Sequence, residues 1–174
     1  MGLPQPPGTA GKRPRTRNHD RMVIRVGSGL LVRDGCVLLV ASRYANLAQP
    51  AWGLPGGRQR AEELLPETVV REVAEETGLA ARAGELLYVA ESYVRGRHVT
   101  CVTFAIEAAG QPRVPTRDGE HIAGVAFVPI EALGERIAAA VVREPLQAWL
   151  RGELTSRYAG FRRADVWFDL PDDV

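Results

Sequence analysis

Between Pro55 and Leu79 the chain passes from a tight glycine turn, Pro55-Gly56-Gly57, into a segment patterned as a helix. Leu65, Val69 and Val73 recur at i, i+4 and i+8 and form one apolar stripe. Pro66 falls in the first turn, where a missing N–H costs little. Thr77-Gly78 ends the helix, with Gly78 placed for a left-handed C-terminal cap. A helix with one apolar stripe must lie on a sheet or a core, and its other side stays at an edge. That other side is acidic: Glu72, Glu75 and Glu76 sit at i, i+3 and i+4 and share a face. Glu63, just ahead of the first turn, can fold back toward them.

The flanking sequence supplies the sheet. Two β-rich runs, VIRVGSGLLV from Val23 and CVLLVAS from Cys36, are joined by Arg33-Asp34-Gly35, a hairpin signal. Tyr44 to Pro50 reads as a loop. Trp52-Gly53-Leu54 reads as a short extended piece stopped by Pro55-Gly56-Gly57. Leu86 to Val94 and His98 to Ile106 form a second strand pair around the turn Arg95-Gly96-Arg97. Ala108 to Glu120 is a polar loop, Gly124 to Val128 a strand, Ile130 to Leu133 a short helix, and Pro145 to Leu150 part of another. Residues 155–174 allow an edge strand. Strands and helices alternating in this way argue for an α/β fold, a mixed sheet sandwiched between helices.

Spacing alone leaves two readings of the acidic face open. A solvated face normally intersperses Lys or Arg at i+4, and only Arg71 is available within the helix. Carboxylates that side chains do not neutralise suit a divalent cation, and hard oxygen donors favour Mg²⁺ or Mn²⁺ over zinc. The glycine turn just upstream lets backbone approach a ligand closely and favours anions at the helix N-terminus. Metal carboxylates beside such a turn form a diphosphate site.

The same residues carry a resemblance. Gly57, Glu63, Arg71, Glu72, Val73, Glu75, Glu76, Gly78 and Leu79 occupy every defined position of G-x5-E-x7-R-E-U-x-E-E-x-G-U, where U is aliphatic. The chain therefore resembles the Nudix hydrolases. The resemblance implies that Glu72, Glu75 and Glu76 hold Mg²⁺ or Mn²⁺, with the carbonyl of Gly56 as a further ligand. Arg71 would orient the glutamates, and Glu63 would belong to the same ion-pair network. Relatives often draw another acid from a loop outside the box, for which Asp118 and Glu120 are candidates and Glu120 is favoured. Glu62-Glu63-Leu64 departs from the common Gly-Glu-Ser, which costs an N-cap and stiffens the loop without touching the ligands. The implied reaction is water attack on phosphorus in a nucleoside diphosphate derivative. The rival is a catalytically silent Nudix-like regulator that binds nucleotides, and such proteins typically lose box carboxylates.

Candidates for reading the substrate are Arg43, Tyr44, Arg95 and Arg97, with Tyr93 and His98 nearby, since arginine pairs with phosphate and tyrosine stacks on bases. Each has a plainer reading: Arg95 and Arg97 as a hairpin tip, His98 as a structural strand residue, Trp52 as core. Markers of substrate subgroups are missing. No proline lies in Tyr93-Val94-Arg95-Gly96, where many ADP-ribose enzymes have one, and the run typical of NADH enzymes is absent.

Composition adds boundaries. Residues 1–21 hold five basic residues against Asp20, a net of +4, which leaves −3 for the rest of a chain of net charge +1. We read 1–21 as a disordered basic tail and 22–174 as a single domain. A near-neutral chain does not imply general nucleic-acid affinity. No apolar run is long enough for a bilayer and none resembles a signal peptide, so the expected compartment is the cytoplasm. The expected partner is a small nucleotide, and a homodimer is compatible with this. Cys36 and Cys101 sit in apolar runs and read as buried, reduced thiols.

Overall fold

The computed structural model describes residues 23–115 and 121–163. The basic tail, Asp118, Glu120 and residues 164–174 lie outside the described residues. The strands are β1 (Val23–Leu30), β2 (Val32–Arg33), β3 (Cys36–Ser42), β4 (Ala51–Gly53), β5 (Gly56–Arg58), β6 (Ala81–Val94), β7 (Arg97–Ala108), β8 (Ile122–Pro129) and β9 (Tyr158–Phe161). The helices are α1 (Leu65–Thr77), α2 (Leu133–Arg136), entered through one 3-10 turn, and α3 (Ala140–Leu150).

A five-stranded mixed sheet runs β5-β1-β7-β6-β9, with β1 parallel to β7 and β7 antiparallel to β6. A smaller antiparallel sheet joins β2, β3 and β4, and β8 pairs with β3. Helix α1 covers one side, over Val69, Val73, Val102, Phe104 and Ile106. Helices α2 and α3 cover the other, over Leu39, Leu87, Tyr88, Leu133 and Leu146. The expected α/β sandwich is present, built on two sheets. Among the described residues no helix is long and apolar enough to cross a membrane.

The run from Val23 to Arg33 is not one strand. Leu30 packs into the core under α2 and α3, and its neighbour Leu31 into the core under α1. The chain crosses there from the large sheet to the small one. The hairpin at Asp34-Gly35 forms with φ of 49° and 73°, the left-handed pair a two-residue turn requires. Arg95 and Gly96 repeat it at 48° and 80°.

One expectation is corrected. Gly56-Gly57 does not stop a strand; it is one. Strand β5 pairs antiparallel with β1 at Ser28↔Gly56 and Val26↔Arg58, because β1 offers an open edge there. Pro145 to Leu150 is part of a helix as expected, and α3 begins at Ala140. Its interior proline gives up the hydrogen bond to the Val141 carbonyl, a loss that burial of Pro145 and Leu146 offsets.

Helix α1 lies close on β1 because Gly27 has no side chain. A methyl group there would fall 3.0 Å from Val69 Cγ2 and 3.1 Å from the Leu65 carbonyl. The helix starts without a side-chain N-cap, since the position is Leu64. Glu67 instead accepts the Leu64 N–H at 2.7 Å. Gly78 closes the helix at φ 68° and donates its N–H to Ala74 O.

Candidate active site

The turn between β5 and α1 folds the acids together. Glu62 takes the left-handed conformation at φ 65°, a position that favours glycine. The turn brings Glu63 back against Arg71, whose Nε donates to Glu63 Oε1 at 2.6 Å and Nη2 to Glu63 Oε2 at 3.0 Å. Nη1 donates to Glu72 Oε1 at 2.7 Å and to Glu75 Oε2 at 3.0 Å, and Nη2 also to the Arg58 carbonyl at 3.0 Å. A guanidinium has five N–H donors, and Arg71 uses all of them. The arginine holds the Glu63 carboxyl down at about 2. The carboxylates in turn raise the Arg71 pKa.

Glu76 stands apart from this network. It is 5% exposed, and its Oε2 accepts the Gly56 N–H at 2.8 Å. Burial pushes its pKa well above the usual carboxylate range, against the Gly56 hydrogen bond, and the charges of Glu72 and Glu75 push further. Glu72 is also raised, chiefly by burial, although Arg71 opposes the shift. Gly57 must be glycine because a methyl group on it would collide with the Glu72 carboxylate.

Among the described residues no three acidic, histidine or cysteine side chains already converge on one ion position. Glu72 and Glu75 turn to Arg71, and Glu76 turns to a backbone N–H. The chemistry of the donors still fits a hard divalent cation. A buried carboxylate with no cationic partner of its own is costly, and a cation between Glu76 and its neighbours would relieve both the burial and the mutual repulsion. Glu75, with its side chain 37% exposed, is the least confined of the three carboxylates.

Glu76 lines one end of a cavity of about 350 Å³ between the two sheets. Strand alternation aims Ile24, Val26 and Ser28 of β1 and Val99, Cys101 and Thr103 of β7 into it, and Trp52, Val142 and Pro145 close the far wall. Tyr44, Arg95 and Arg97 also line this cavity. Arg43 does not; it is exposed, and its N–H donates to His121 O at 2.8 Å. Tyr44 is raised to about 12, first by burial and then by the charge of Glu76. Tyr93 and His98 stack on each other at 4.8 Å, and His98 Nε2 lies 3.1 Å from Glu91.

Several lining residues escape sequence reasoning. Trp52 packs, half-buried, against the core as expected, and also lines the cavity wall, with Arg136 over its ring at 4.9 Å. Ser28 Oγ pairs with Thr103 Oγ1 at 2.8 Å and Cys101 Sγ at 3.4 Å, a polar patch where β1 and β7 line the cavity. Alternation along Val99-Thr100-Cys101-Val102-Thr103 would have put Cys101 and Thr103 on one face. Both cysteines are free, and they are half-buried rather than core.

The NUDIX domain model matches residues 23–150. The ADP-ribose pyrophosphatase of Methanocaldococcus jannaschii is 36% identical over 84 residues, 47% of this chain and 49% of that protein. The putative mutator protein MutT4 of Mycobacterium tuberculosis is 32% identical over 149 residues, 76% of this chain and 59% of that protein. The chain thus spans about half to three fifths of these curated relatives. Among solved structures, the E. coli ORF135 protein superposes with a TM-score of 0.64 at 25% identity, over 79% of this chain and 95% of that one. A family match that runs from β1 through α3, with the carboxylate helix at its centre, makes this chain a member of the Nudix family.

Proposed function

We propose that the protein hydrolyses a diphosphate linkage in a nucleoside diphosphate derivative, with Mg²⁺ or Mn²⁺ as cofactor. The observation that carries the reading is Glu76, a buried carboxylate at the mouth of a nucleoside-sized cavity, beside two more carboxylates on α1. Glu72, Glu75 and Glu76, with the Gly56 carbonyl, would hold the metal. Bound there, it supplies neutralisation of the phosphate oxygens and a lowered pKa for the attacking water.

The protein's own groups do the rest. The cavity takes the nucleoside, and its apolar walls exclude water from that end. Tyr44 and Trp52 offer ring faces for stacking. Arg71 fixes Glu63, Glu72 and Glu75 relative to one another and has no donor left for substrate. Water attacks one phosphorus, the bridging P–O bond breaks, and the electron pair leaves with the departing phosphate. A carboxylate of the α1 row accepts the proton of the water. The named activity of the M. jannaschii relative, on ADP-ribose, and the MutT name of the mycobacterial one both belong to this reaction class. The regulator alternative is disfavoured because every box carboxylate is present.

The test is Mg²⁺-dependent turnover of a panel of nucleoside triphosphates and nucleoside diphosphate sugars, with Glu76→Gln alongside. The wild type turns over at least one of them, and Glu76→Gln loses activity by about 10²-fold or more, as for loss of a group that stabilises transition-state charge. Normal turnover by a folded Glu76→Gln protein would remove the assignment.

A further inference from the structure

The carboxylates of α1 form a graded row. Glu76 is 5% exposed and lines the cavity. Glu72 has a side chain 15% exposed and Glu75 one 37% exposed, and Arg60, at 61%, follows in solvent. A substrate whose nucleoside fills the cavity and whose phosphates leave it past Glu76 would run outward along this row. The group on the far side of the cleaved bond arrives beside Glu75 and Arg60.

Arg60 is built differently from Arg71. Its backbone is pinned: its N–H donates to Glu63 Oε2 at 3.1 Å, and its carbonyl accepts the Glu63 N–H at 3.3 Å. The preceding Gln59 side chain donates to the Glu63 carbonyl at 2.6 Å. Its tip is loose. Among the described residues the guanidinium makes one hydrogen bond, a 3.4 Å contact from Nη2 to Glu75 Oε1, which leaves four donors unused. An exposed ion pair of that length contributes almost nothing to stability. An anchored arginine with open donors at the outer end of a phosphate track is arranged to receive a phosphate bidentately.

We propose that Arg60 binds the terminal phosphate of a nucleoside triphosphate, the group that stands where a nucleoside diphosphate sugar carries its sugar, and that this contact favours substrates ending in a phosphate over diphosphates capped by a neutral sugar. The inference rests on the diphosphate-hydrolase reading above and specifies its substrate class. Arg60 also competes with any cation for Glu75, so its removal leaves metal binding equal or tighter.

The experiment compares the wild type with Arg60→Ala and Arg60→Lys. It measures kcat and KM for a nucleoside triphosphate and for a nucleoside diphosphate sugar of the same base. Mn²⁺ binding without nucleotide is followed by electron paramagnetic resonance. Arg60→Ala should lose about tenfold or more in kcat/KM on the triphosphate and less than about threefold on the sugar compound, with Arg60→Lys between. Mn²⁺ binding should hold or tighten. Equal losses on both substrates, no loss on the triphosphate, or weakened Mn²⁺ binding would each overturn the inference. A wild type inert toward every diphosphate overturns the underlying reading and this inference with it. An active wild type whose substrate ratio is unchanged in Arg60→Ala overturns this inference alone.

Discussion

The two ends of the cavity are held together by opposite means. At the α1 end, three carboxylates and one fully engaged arginine fix each other through directed hydrogen bonds. At the far end, Trp52, Val142 and Pro145 line the wall by packing, with the Arg136 guanidinium over the Trp52 ring. Directed bonds fail all at once when one partner goes. Packed walls fail by degrees. The α1 end should therefore be intolerant of change and the far end tunable.

The sharpest way to break that comparison is Arg71→Ala. It strands three carboxylates, and the expected loss is about 3 kcal/mol in urea unfolding, as for removing one partner of a buried ion pair, along with most of the activity. A protein that stays within about 1 kcal/mol of wild type would show the network to be a surface feature. Next comes Gly57→Ala. The new methyl group displaces the Glu72 carboxylate, the end of a flexible side chain, so activity should fall by roughly 10- to 100-fold while the thermal midpoint barely moves. Val142→Ala, at the far end, should raise KM by about threefold to tenfold and leave kcat nearly unchanged.

The smallest effect sharpens the contrast within α1 itself. Glu63 has its pKa lowered to about 2 from 4.5, so its contribution to stability is present above pH 4.5 and is lost as pH falls toward 2. Glu76 is raised, so its contribution is present below 4.5 and is lost as pH climbs through its folded value. Without metal, Glu63→Gln should narrow its stability gap to wild type in acid. Glu76→Gln should be the more stable protein at neutral pH. Unfolding curves between pH 3 and 8 check both signs.

The α1 end was legible in the sequence because its determinants are local. Spacing of 3 and 4 residues places Glu72, Glu75 and Glu76, and the Pro66 and Gly78 boundaries survive into the structure. The far end was not. Val142 and Pro145 come from α3 and Trp52 from β4, and only tertiary packing brings them together. Strand β5 was missed for a related reason: two glycines read as a turn, yet the open edge of β1 recruits them. The crossing at Leu31 was hidden because an apolar run buried on both faces shows no alternation.

Strand β9 lies beyond residues 23–150, the part matched to the family. It pairs in parallel with β6 from Val89↔Tyr158 to Ser92↔Phe161. Arg157 secures it through its carbonyl, which accepts the Val89 N–H at 2.9 Å, and through a 2.8 Å bond from its guanidinium to the Leu86 carbonyl. Without it, the Val89–Ser92 stretch of β6 would present unpaired backbone groups between exposed Leu86 and Tyr93, the kind of margin on which strands of other molecules can pair. A fragment trimmed to the matched segment would lack this cover, so four residues that the family match does not include guard part of the edge of the large sheet.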